Sequence, residues 1–146
     1  LLDHAALAEC ADAVGAMTEA AARTAAYLKT REQFGKPLAS FQVLQHRLAD
    51  MHIACEESRA VTHAALTAVD EGDPDARRAI WTAKVHVARA ARFVGGQSIQ
   101  MHGGMGMTVY YKRLSVFEAM HGDADWHVAR LTALHAQGAA PALQEA

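Results

Sequence analysis

The chain of 146 residues is 51% hydrophobic, enough to bury one substantial core, so a single domain over residues 1–146 is expected. Aromatics are only 6%, prolines number three and alanine dominates the apolar set, a balance that argues against a sheet-based fold and for an all-α one. A formal net charge of -2 offers no broad positive field to hold nucleic acid or an anionic bilayer, and neither is an expected partner.

From Asp3 to Thr30 the apolar positions Ala6, Leu7, Cys10, Val14, Met17, Ala21, Ala25 and Leu28 recur every three or four residues. That spacing predicts one long helix of about 28 residues, roughly 40 Å. The chain begins inside this pattern without an initiator methionine, as a piece of a longer protein would. Gly35 and Pro37 interrupt the pattern and predict a tight turn. Ser40 then suits the N-cap of a second helix, whose stripe reads Val43, Leu44, Leu48, Met51, Cys55, Ala60, Ala64 and Leu66 and ends near Gly72. Asp73-Pro74-Asp75 places a capping carboxylate, a first-position proline and a further acid at the start of a third helix. This helix carries Ile80, Ala83, Val87, Ala91 and Val94, is weakened at Gly95-Gly96, and runs to about Met101. After the glycine-rich stretch His102–Gly106, a fourth helix is expected from Tyr110 to about Gln137, with a break at Gly122. Four helices joined by short turns predict an up-and-down antiparallel four-helix bundle.

Cys10 and Cys55 stand alone, without CxxC spacing, and read as buried reduced thiols. No run approaches the roughly 18 apolar residues of a membrane span and no leader pattern opens the chain, so the compartment reads as cytoplasmic.

Two segments hold more polar and special-geometry residues than a bundle needs. They are Arg31-Glu32-Gln33-Phe34-Gly35-Lys36-Pro37 and Ser98-Ile99-Gln100-Met101-His102-Gly103-Gly104-Met105-Gly106, both at helix ends. Arg31 offers a guanidinium fork for phosphate, Gln33 and Gln100 offer amides, and the glycines admit a ligand to the backbone, which together suit anion recognition. The same residues also suit a plainer role, with Arg31 capping the first helix through its dipole and the glycines making turns. The glycine cluster ends a helix and follows no strand, so it is not a dinucleotide fingerprint. In His121-Gly122-Asp123-Ala124-Asp125-Trp126-His127 the histidines lack i,i+4 spacing and no HExxH occurs, so no metal is expected.

The stretch from Arg31 to Gln42, with Leu48-Ala49-Asp50-Met51 after it, resembles the C-terminal domain of the acyl-CoA dehydrogenase family, as does the Ser98–Gly106 segment. The resemblance covers nearly the whole chain, and the N-terminal helical and central β domains of that family have no counterpart in it. It implies FAD as cofactor, an acyl-CoA substrate oxidised to a 2-enoyl-CoA, electron-transfer flavoprotein as acceptor, and a homo- or hetero-oligomeric dimer or tetramer. It further implies that Arg31 meets the flavin pyrophosphate of a neighbouring subunit, with Gln33 and Phe34 beside it. Gln100, Met101 and Gly104 are implied to contact the adenosine-diphosphate part, with Leu38, Phe41 and Gly103 completing the set.

The family's base is most often a glutamate followed by glycine and threonine, and here that position falls at His121, with Gly122 and Asp123 after it. A minority place the base early in the first helix, which falls at about Ala5. Neither position is a carboxylate. Tyr110-Tyr111-Lys112-Arg113-Leu114 and the segment from His121 to Asp125 resemble small subunits of two-subunit acyl-CoA dehydrogenases, such as the pimeloyl-CoA dehydrogenase type. That implies a subunit whose partner brings the glutamate. The alternatives are an active enzyme with Asp123 as base, its pKa raised by burial, and a ligand-free helical assembly module. Between Thr108 and Val109 the chain is a few residues shorter than the family pattern.

Overall fold

The third helix settles the arrangement, because apolar and small residues occupy two of its flanks: Ile80, Ala83, Val87, Ala90, Ala91 and Val94 are all buried, as are Trp81, Val85 and Ala88. A helix buried on two sides needs a neighbour on each. The computed structural model describes residues 2–106, and in it α1 (Leu2–Thr30) and α2 (Gln42–Asp70) both pack against α3 (Ala76–His102). α3 runs parallel to α1. Near their starts Asp3 accepts hydrogen bonds from Trp81 Nε1 at 3.0 Å and Arg77 Nε at 3.1 Å; at their far ends Tyr27 and His102 stack with ring centroids 4.4 Å apart. α2 runs the other way, its first turns meeting the end of α3 where Arg47 Nη1 donates to Gln97 Oε1 at 3.2 Å. The described residues are therefore an up-down-up array within an all-α fold. The expected fourth helix, with His121 and Asp123, lies outside them.

The stripe expected for α1 is the one that faces inward, with Leu7, Cys10, Val14, Met17 and Leu28 buried and Ala13 and Thr24 filling the gaps between them. In α2 the stripe holds from Leu44 through Leu48, Met51 and Cys55, but Val43 at its start is exposed, and beyond Cys55 the stripe departs. Ala60 and Ala64 are exposed, and so is Leu66; Ser58, Thr62 and Ala65 are buried in their place. The hydroxyls manage burial by donating to the carbonyl four residues back, Ser58 to Ala54 at 2.7 Å and Thr62 to Ser58 at 2.7 Å, so each is locally satisfied and small enough for close packing. Ser40 is not the N-cap of α2. It belongs to a single 3-10 turn over Leu38–Ser40 and donates to the Pro37 carbonyl, while Phe41 precedes the helix with no side-chain cap. At α3 the regular helix starts at Ala76, yet Asp73 Oδ1 still accepts the Asp75 amide at 2.7 Å and so caps the entry turn. α3 continues unbroken through Gly95 and Gly96.

Lys84 is buried on α3 and reaches Glu9 of α1, Nζ to Oε2, at 2.5 Å; the half-exposed carboxylate keeps the pair in touch with water. Beside it burial pushes the Cys10 thiol from its ordinary 9.0 to about 11, against the opposing pull of the Lys84 charge. An unfolded chain therefore releases this proton before the folded one does. Stability from this group is complete below 9.0 and is lost as pH rises toward 11. Denaturant melts of the wild type and of Cys10→Ala should show a decline above pH 9 that is shallower in the variant; equal slopes would contradict the assignment.

Candidate functional site

The turn between α1 and α2 is a small β-hairpin. β1 (Glu32–Gln33) pairs antiparallel with β2 (Lys36–Pro37), in the register Glu32 to Pro37 and Gln33 to Lys36. The two loop residues, Phe34 and Gly35, have φ of 56° and 76°. Positive φ at both positions is the geometry of the commonest two-residue hairpin loop, which ordinarily takes asparagine or glycine. Gly35 accepts it freely. Phe34 does not, since its Cβ crowds the backbone, and its ring is 91% exposed with an edge contact to Phe41 at 6.2 Å. Residues held in such sparsely populated backbone regions cluster at binding and catalytic sites.

Arg31 leads into this hairpin. Its amide donates to the Tyr27 carbonyl at 2.9 Å and its carbonyl accepts from Leu38 at 2.8 Å, so its backbone is fixed from both sides. Its side chain is exposed and enters no ion pair among the described residues. Gln33 is exposed and donates to the neighbouring Glu32 carbonyl at 2.8 Å, Leu38 and Phe41 are half-buried beneath the hairpin, and Lys36 Nζ sits 4.3 Å above the Phe41 ring.

The second polar segment arrives at the same end of the bundle, because α1 and α3 are parallel and of nearly equal length. Gln100 is exposed, Met101 is buried, and α3 stops at Gly103, whose φ is 59° and whose amide donates to the Gln100 carbonyl at 3.2 Å. Among the described residues nothing lies within 4 Å of an added Cβ at Gly103 or at Gly104, which leaves their backbone approachable. Gly106 differs: a Cβ there would collide with the Ile99 carbonyl, because the chain folds back over α3. Ser98 Oγ is buried without a hydrogen-bond partner among the described residues. The cofactor set read from sequence thus gathers at one end of the bundle, on the hairpin and at the C-terminus of α3. Ala5 lies exposed on α1 at the opposite end, and His121 and Asp123 fall outside the described residues.

Tyr27, Arg47 and Gln97 were not legible as parts of this end. Tyr27 stacks on His102 across helices, and Arg47 joins α2 to α3 through Gln97. Only the position of Tyr27, one turn before Arg31 on α1, hinted at its place.

The family profile described as "Acyl-CoA dehydrogenase, C-terminal domain" matches residues 1–139. The chain belongs to the acyl-CoA dehydrogenase family. It is 35% identical over 124 residues to acyl-CoA dehydrogenase IpdE2 of Mycolicibacterium smegmatis, which covers 85% of this chain and 38% of that protein. Among solved structures, the Tcur3481-Tcur3483 steroid ACAD G363A variant shares 36% identity and a TM-score of 0.86, covering 95% of this chain and 40% of that one. The ChsE4-ChsE5 complex from Mycobacterium tuberculosis shares 31% identity and a TM-score of 0.80 over 90% of this chain and 37% of that one. The chain therefore spans about two fifths of IpdE2 and of the steroid ACAD.

If the hairpin stores strain at Phe34, Phe34→Asn should raise stability by about 1 kcal/mol, as relief of one left-handed non-glycine residue allows. Thermal melts compare the two; a lower melting temperature for the variant would show that the exposed ring is stabilising instead.

Proposed function

We propose that this chain is the helical bundle of a flavin-dependent acyl-CoA dehydrogenase subunit, which completes the FAD site of a neighbouring subunit and holds the oligomer together. The observation that carries the reading is the meeting, at one end of the bundle, of an exposed Arg31 in no ion pair among the described residues and a glycine-terminated α3. The donor set suits a dinucleotide. A guanidinium answers a pyrophosphate with paired charge-assisted bonds, Gln33 and Gln100 offer amides to its polar groups, and open backbone at Gly103 and Gly104 allows close approach. The exposed Phe34 ring offers an apolar face beside Arg31.

When bound, FAD supplies the hydride acceptor: the β-hydrogen of an acyl-CoA thioester leaves as hydride while a carboxylate takes the α-proton, and a 2-enoyl-CoA results. The chain's own residues bind and orient; the base comes from elsewhere. His121 and Ala5 occupy the two positions where the family's carboxylate falls, so we assign the glutamate to a partner subunit of different sequence. The likeness to the ChsE4-ChsE5 complex supports such an arrangement. Among the described residues no helix is long and apolar enough to cross a membrane, which fits the cytoplasmic setting we propose, with electron-transfer flavoprotein as acceptor.

In the enzyme that contains this domain, Arg31→Ala should weaken FAD binding by roughly 10- to 100-fold, the loss expected for hydrogen bonds to a charged group. Flavin fluorescence titration measures it, and unchanged affinity would overturn the pyrophosphate assignment. Turnover tests the base separately. The subunit without its partner should be inactive, activity should return on adding the partner, and Asp123→Ala should leave that activity unchanged. Robust turnover by this subunit alone, abolished in Asp123→Ala, would make Asp123 the base.

A further inference from the structure

α3 ends in consecutive glycines, and Gly103 and Gly104 have no side chains to pack against a neighbouring helix. The residue before them is the exception. His102 is 6% exposed, its Nδ1 donates to the Ser98 carbonyl at 2.8 Å, and its ring stacks on Tyr27 at 4.4 Å with planes 24° apart. Tyr27 in turn is the residue whose carbonyl accepts the Arg31 amide at 2.9 Å. One ring pair thus joins the backbone that carries Arg31 to the turn that carries Gln100 and Gly104.

We propose that His102 and Tyr27 are positioning residues that set the two halves of the dinucleotide site against each other, so that the hairpin and the end of α3 bind FAD as one unit. The inference rests on the FAD reading above. Neither ring touches the cofactor in this account. Bonding of Nδ1 to Ser98 fixes the imidazole rotamer, so the ring faces Tyr27 instead of swinging with the glycine turn. A purely structural pair would lower melting temperature and leave FAD affinity, read well below that temperature, where it was.

The test is FAD affinity, by flavin fluorescence titration, in the enzyme that contains this domain. Tyr27→Ala and His102→Ala should each weaken binding by about tenfold, near the most a buried ring pair contributes. The double variant should be no weaker than either single one, because both remove the same strut. Tyr27→Phe keeps both the stacked pair and the His102 Nδ1 bond and should bind within about threefold of wild type, which guards against variants that simply fail to fold. Unchanged affinity in both alanine variants, or losses that multiply in the double variant, would overturn the proposal. Arg31→Ala separates the two claims: if it weakens FAD while the ring variants do not, the FAD reading stands and the strut falls. If Arg31→Ala is also without effect, the FAD reading itself falls.

Discussion

Burial of α3 between two neighbours is the constraint on which the rest depends. Its Ala83, Val87, Ala90 and Val94 line one face and Val85 and Ala88 another, too far around the helix for one neighbour to cover both, so α1 and α2 must lie on either side. Small side chains at these positions let the helix axes approach closely. Because α1 and α3 run parallel, the end of α3 has nowhere to go but beside the hairpin that follows α1. A site made of two chain segments more than 60 residues apart thus follows from packing, before any ligand is considered.

Alanine-rich faces fit together in more than one register, and this fold pins the register at both ends. At one end Trp81 and Arg77 bond Asp3 and Lys84 bonds Glu9; at the other Tyr27 stacks on His102. The Lys84 charge lies in the interior and needs its partner, so a slip of α1 along α3 would orphan it at a cost far above that of an exposed pair. The clasps are polar or aromatic and the surface between them is smooth. That division lets the bundle end be placed with the accuracy that the dinucleotide site we propose requires.

Much of this was readable from the chain. Periodicity located α1 and α3 and one inner stripe of each, but it did not show the second buried flank of α3, where Trp81, Val85 and Ala88 lie. In α2 periodicity misled after Cys55: apolarity favoured Ala60, Ala64 and Leu66, whereas serine and threonine hydroxyls bonded to their own helix take the inner face. Ser40 had the chemistry of a cap but is drawn into the 3-10 turn after the hairpin. The resemblance supplied Arg31, Gln33, Gln100 and Gly104 as a set; helix direction then put them at one end. The positive φ of Phe34 was invisible, because phenylalanine is not a residue that signals it. So was the Tyr27 to His102 stack, a contact between residues 75 apart that no local rule reports.

We propose that this bundle end completes a flavin site belonging to another subunit. An experimental structure of the FAD-loaded oligomer tests it most directly. We expect the Arg31 guanidinium within hydrogen-bonding distance of the pyrophosphate of an FAD held chiefly by a neighbouring subunit, with the Gly103–Gly104 backbone against its adenosine half. An Arg31 side chain left in solvent, with the flavin bound wholly by other surfaces, would contradict it.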